Sequence, residues 1–249
     1  MRILGPLVVA ASLTVASTLA AAAPVVFESG PERVSVVELF TSEGCHSCPP
    51  ADRWISGLRD DTRLWHKIVP VAFHVTYWDY IGWRDRFGDE SYSLRQREHR
   101  YLGNVRSVYT PGFVVNGQEW RAWFSRGAVP LAEDRPGTLR ARIDNGLVNV
   151  QYTPRTAIDG PFEVVVARLG FNLHSDVDAG ENSGKRLKHD FVVLGVESGQ
   201  LAPSGNAYAS TVLLPKSKYL SDPGGLAVWV TAPGQQSPIQ ALGGYLRPE

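Results

Sequence analysis

The chain is poor in cysteine and has no surplus charge of either sign. Two cysteines stand among 249 residues, and 25 basic residues balance 25 acidic ones. The missing cysteines exclude a disulfide-stapled mini-protein, and a core of this size needs no staples. They also exclude a four-cysteine structural zinc site. The missing basic excess argues against nucleic acid and against an anionic membrane surface as partners. There is no run of like charges, no low-complexity tract and no internal repeat. What remains is ordinary for a folded domain, with 43% hydrophobic and 20% charged residues.

The N-terminus reads as an export signal. Arg2 precedes an uncharged run over 3–20, and Ala20-Ala21-Ala22-Ala23 offers small residues to a signal peptidase. Residues 1–23 are therefore expected to be a signal peptide, cut after Ala22, and the mature protein to be periplasmic or secreted. No stable membrane association is expected after that cleavage. A retained anchor is the alternative, because 3–26 nearly suffices to span a bilayer.

Val34-Ser35-Val36-Val37-Glu38-Leu39-Phe40 has the β-branched, apolar texture of a buried strand. Cys45-His46-Ser47-Cys48 follows, then a helical stretch over 51–59 with Trp54, Ile55 and Leu58 on one face. A second apolar strand is predicted over 68–75, which makes a right-handed βαβ unit. A helix over 88–102 comes next. Asn116-Gly117 then lies between two apolar runs and predicts a hairpin. A last helix is expected over 125–133. Past about residue 138, short apolar runs at 147–150, 162–167, 191–196, 207–214, 226–230 and 239–242 predict a β-sandwich or partial barrel. The boundary is placed near Arg135-Pro136-Gly137, giving domains over 30–135 and 138–249.

A dithiol between a strand and a helix points to redox chemistry. Free N–H groups and the dipole at a helix N-terminus stabilise a thiolate. The two-residue spacer lets the second thiol attack a mixed disulfide made by the first. Cys45 is expected to be the nucleophile and Cys48 the resolving thiol, with no cofactor. Pro49 and Pro50 fit a first helical turn, and Ser47 is the expected N-cap. His46 either stabilises the thiolate when protonated or is a solvated loop residue. Glu38 shares a strand face with Val36 and Phe40. Buried beneath the motif, it would have a raised pKa and could take the proton of Cys48; at an edge it would face water.

Other readings stay open. Cys45 and Cys48 with His74 or His46 could hold copper or zinc. The pair could also be a structural disulfide in a non-catalytic binding module. Tyr77, Trp78, Tyr80 and Trp83 could line a ligand groove or serve as packing.

Several stretches resemble a family of secreted bacterial proteins, thioredoxin-like and catalogued as a domain of unknown function. They are Val37-Glu38-Leu39-Phe40-Thr41-Ser42-Glu43-Gly44-Cys45 through Asp52, residues 73–83, Tyr109 to Gly117, and Gly180-Glu181-Asn182-Ser183-Gly184. The resemblance implies an α/β thioredoxin-like domain (βαβαββα) followed by a β-rich, sandwich-like region. It further implies that Pro111 is cis and faces the dithiol across a substrate groove. The expected partner is a protein thiol or disulfide. Gly44 in place of the usual aromatic residue, and the two prolines after Cys48, depart from ordinary thioredoxins.

Overall fold

The computed structural model describes residues 23–125, 127–157, 160–219 and 224–246. The expected signal peptide, apart from Ala23, lies outside the described residues. The first half contains strands β1 (Val25–Glu28) and β2 (Ser35–Thr41), helix α1 (Pro49–Ser56), and strand β3 (Ile68–His74). Helix α2 (Glu90–Tyr101) and strands β4 (Gly112–Val115) and β5 (Gln118–Glu119) follow. β2 and β3 pair in parallel from Ser35 opposite Ile68 to Thr41 opposite His74. Both are buried at every position, as parallel strands covered on two faces must be. β4 runs antiparallel to β2, with Leu39 opposite Phe113. Asn116 and Gly117 turn β4 into β5 with φ of 51° and 80°, the two positive values that such a tight hairpin requires.

The second half supplies β6 (Gly137–Asp144), β7 (Leu147–Pro154), β8 (Phe162–Gly170), β9 (Leu173–Val177) and β10 (Lys185–His189). It ends with β11 (Val192–Ser204), β12 (Ala207–Leu213), β13 (Gly225–Thr231) and β14 (Pro238–Tyr245). β11 joins the two halves. It starts parallel to β3, with Val192 opposite Ala72. Its other edge pairs with β8, through a bulge between Val193 and Gly195. β13 adds to β8, and β14 to β13. The far end of β11 leaves to pair with β12, which leads on to β7, β6 and β1. Among the described residues twelve strands thus form one mixed sheet, and β9 with β10 makes a separate hairpin.

This overturns the expected thioredoxin-like βαβαββα domain followed by a sandwich-like region. Among the described residues strand occupies 44% and helix 14%, with two α-helices. In place of the closing helix expected over 125–133 there is a 3-10 turn at Ala122–Ser125 and irregular chain over 127–136. Pro130 accounts for that, since it removes a helical donor and restricts the residue before it. One core includes Val36, Leu39, Phe40 and Phe73 together with Leu169, Phe191, Val193 and Trp229, residues from both sides of 135–137. A second packs Leu139, Val150 and Tyr152 against Val164, Val166 and Val228. The two-residue period of β13 explains how both are served. Ala227 and Trp229 face the first core, while Leu226, Val228 and Val230 face the second.

Candidate functional site

The dithiol lies where β2 gives way to α1. The Ser42 carbonyl accepts the Cys45 N–H at 3.2 Å, and the Cys45 carbonyl accepts that of Cys48, also at 3.2 Å. Cys48, not Ser47, is the N-cap of α1. Its carbonyl accepts from Ala51 N–H at 2.8 Å and Asp52 N–H at 3.0 Å. Pro49 and Pro50 then fill the first two helical positions, which have no helical bond to donate. Ser47 is free to set its hydroxyl 3.3 Å from Cys45 Sγ. Both cysteines are free thiols and fully buried.

The two thiols stand in opposite environments. A hydrogen bond from Cys48, opposed by burial and supported by Ser47 and Thr110, brings Cys45 down from 9.0 to about 6. Burial, then the hydrogen bond and charge of Cys45 and the charge of Asp52, push Cys48 well above 9.0. Near neutral pH Cys45 is therefore the thiol that ionises, while Cys48 keeps its proton.

Glu38 does not do what strand parity suggested. It is buried as expected, and burial alone would raise its pKa. Arg95 of α2, at 2.7 Å, and His99, at 3.4 Å, outweigh that and hold it at about 2. A carboxyl kept so acidic cannot collect the Cys48 proton near neutrality. The carboxyl beside Cys48 is Asp52, one helical turn on. Burial raises its pKa, against the charges of His189 and His74 and a 2.8 Å bond from the Thr41 hydroxyl. Sequence reasoning missed Asp52, although four-residue spacing on a helix places such side chains together.

Behind Asp52 is a buried polar cluster. His74 Nδ1 lies 2.7 Å from Asp85 Oδ2. Burial disfavours a charged His74, but Asp85 outweighs it and raises the pKa to about 9. His189, at the end of β10, has Nε2 3.4 Å from Glu43 Oε1 and Nδ1 3.8 Å from Asp52 Oδ2. His74 Nδ1 is held by Asp85 while its Nε2 has no hydrogen-bond partner, and among the described residues no group of three or more His, Cys, Asp or Glu is arranged to hold a metal ion.

Two segments cradle the cysteine loop. The turn between β9 and β10 carries Asn182, fully buried, whose Nδ2 donates to the carbonyls of Glu43 (2.8 Å) and Cys45 (2.9 Å). Glu181 of that turn accepts the His46 N–H at 2.9 Å, and His46 itself is exposed. The aromatic segment is anchored rather than open. Trp78 donates to Thr110 at 2.6 Å and Trp83 to Glu43 at 2.9 Å, and Tyr77 donates to Gln96 at 3.0 Å. Tyr80 alone of the four is strongly exposed. Gly44 sits where any Cβ would meet Ile81 at 3.2 Å and Trp78 at 3.4 Å. That contact explains why no aromatic side chain stands there. The Thr110–Pro111 bond is cis. Pro111 borders a groove of about 460 Å³ shared with His46, Ser47, Pro50, Tyr109 and Trp123.

The fold and site together define a strand-dominated α/β protein with a buried, unequal dithiol at a strand-to-helix junction. The chain belongs to the family described as "Protein of unknown function (DUF1223)", whose model matches residues 36–231. No curated protein matches it. Two solved structures share the fold. One is an Agrobacterium tumefaciens protein determined by X-ray crystallography, 24% identical, with a TM-score of 0.60 over 89% of this chain and 96% of that one. The other is HBP35 of Porphyromonas gingivalis, 12% identical, with a TM-score of 0.60 over 88% and 76% respectively.

Proposed function

We propose that the protein carries out thiol–disulfide exchange on a protein substrate, in the periplasm or outside the cell. The observation that carries this reading is the split between Cys45, held as a thiolate, and Cys48, held as a thiol. A nucleophile and a resolving group need those two states. The Cys45 thiolate attacks a substrate disulfide and releases one substrate thiolate, which takes a proton from water. Cys48 gives its proton to Asp52, attacks Cys45 Sγ and expels the second substrate sulfur. The Cys45–Cys48 disulfide forms, and its two electrons leave with the reduced substrate. The groove along Pro111, which Ser47 of the cysteine loop also lines, is where an extended substrate segment would lie. The export reading of the N-terminus supports the location, because a disulfide can persist there. Among the described residues no helix is long and apolar enough to cross a membrane.

Alkylation of the reduced protein at a series of pH values tests this. Cys45 should label first, with a midpoint near 6, and a Cys45→Ser variant should lose that fast phase. Equal, slow labelling of both cysteines, with midpoints above 8, would remove the basis for exchange.

A further inference from the structure

We infer that His189 relays the proton released by Cys48, passing it from Asp52 to Glu43. The inference rests on the exchange reading above and deepens it. His189 is 2% exposed and neither ring nitrogen has a hydrogen-bond partner. The oxygens it faces, Asp52 Oδ2 and Glu43 Oε1, are also buried and unpartnered. Four orphaned polar atoms therefore stand in series: carboxylate, one ring nitrogen, the other ring nitrogen, carboxylate. A buried polar atom left without a partner destabilises the fold. A fold that needed His189 only for packing would gain by replacing it with an apolar side chain.

The separations of 3.8 and 3.4 Å exceed hydrogen-bond length. A shift of under an ångström closes either, and proton-transfer contacts commonly tighten only during reaction. The groups around the ring are few. Asp52 comes from α1, Glu43 from the loop after β2, and His74 from β3. The His74 ring stands edge-on, its centroid 4.9 Å away, and its Nδ1 is occupied by Asp85. Phe87 closes the apolar side at 5.9 Å. Asp190, next in sequence, turns to Arg59 instead.

The transfer balances when the ring enters the step carrying one proton, on Nε2. Asp52, having received the proton of Cys48, gives it to Nδ1, and the Nε2 proton passes to Glu43. Cys48 is left as the thiolate that attacks Cys45 Sγ, and Asp52 returns to the ionised state. His189 acts through Asp52 and touches no reacting sulfur, so it is a positioning residue. The hairpin that carries it also carries Asn182, so one excursion of the chain grips the cysteine loop and supplies the relay.

Reduced full-length protein mixed with 5,5′-dithiobis(2-nitrobenzoic acid) separates the two ideas. The first thionitrobenzoate is released when Cys45 forms the mixed disulfide, and the second when Cys48 resolves it. In His189→Gln the first phase should stay within twofold of the parent. The second should slow at least tenfold, and its pH profile should change shape. A second phase with the parent's rate and profile overturns the relay but leaves exchange standing. Absence of a fast first phase in the parent protein overturns both. Should His189→Gln fail to fold by circular dichroism, Glu43→Gln decides. It keeps an acceptor for Trp83 yet removes the terminal proton acceptor, and an unaltered second phase there refutes the relay.

Discussion

Replacing Glu38 with Gln separates a structural role for this carboxylate from a catalytic one. Its side chain is fully buried and bonded to Arg95 at 2.7 Å, with His99 at 3.4 Å. Arg95 also lies over the rings of Phe73 and Trp229, 5.3 Å from each centroid, so it cannot swing to water without uncovering both. Holding Glu38 at about 2 rather than 4.5 corresponds to about 3 kcal/mol of stability at neutral pH. Removing one partner of a buried pair costs a comparable ~3–5 kcal/mol. Glu38→Gln should therefore lower Tm by roughly 6–12 °C at pH 7, at about 2–4 °C per kcal/mol for a chain of this size. The sign follows from a depressed folded pKa. The stability is fully present above 4.5 and is lost as pH falls through about 2. Melting curves of the parent and Glu38→Gln should thus converge as pH drops through that window. Release of the second thionitrobenzoate should be unchanged at 25 °C. A variant that melts with the parent but resolves the mixed disulfide slowly would refute this reasoning and return Glu38 to the thiol chemistry.

Two further outcomes follow from the same packing. Burial works against a charged His74, but Asp85 raises it from 6.5 to about 9. Its stabilisation of about 3 kcal/mol is complete below 6.5 and lost as pH rises through 9, so Tm should fall across that range in the parent and stay flat in His74→Gln. Asn182→Ala leaves the carbonyls of Glu43 and Cys45 without their donor, which should cost about 1–3 kcal/mol by urea denaturation. The same variant should raise the alkylation midpoint of Cys45 by loosening its loop. An unchanged midpoint would show that Asn182 supports the fold without positioning the thiol.

The parts of the fold that were legible in sequence are those written in contiguous residues. The run 34–40, the helix after the cysteines and the Asn116-Gly117 turn each carry their own periodicity or turn chemistry. The single sheet was hidden because β11 changes character along its length. Val192 and Val193 are buried, whereas Val196, Glu197 and Ser198 are exposed, so only its first residues read as strand. The β9–β10 hairpin was hidden for a related reason. Leu173–Val177 and Lys185–His189 contain His174, Ser175, Asp176, Lys185, Arg186 and Lys188, and nothing in them alternates between apolar and polar as a half-buried strand does. Their value lies in Asn182 and His189, whose partners are more than 130 residues away in sequence.

The same distinction governs the two buried carboxylates. Strand parity correctly puts Glu38 inside, but parity says nothing about what stands opposite. Arg95, 57 positions on, supplies a full charge and makes Glu38 a permanent anion. Asp52 receives no such partner. It has one hydroxyl bond from Thr41, one oxygen without a hydrogen bond, and a histidine at 3.8 Å. Burial therefore dominates at Asp52 and raises its pKa, while charge pairing dominates at Glu38 and lowers it. Two carboxylates pushed in opposite directions divide the labour. The paired one holds α2 against the sheet, and the unpaired one, a helical turn from Cys48, is the carboxylate that burial makes readier to take up a proton.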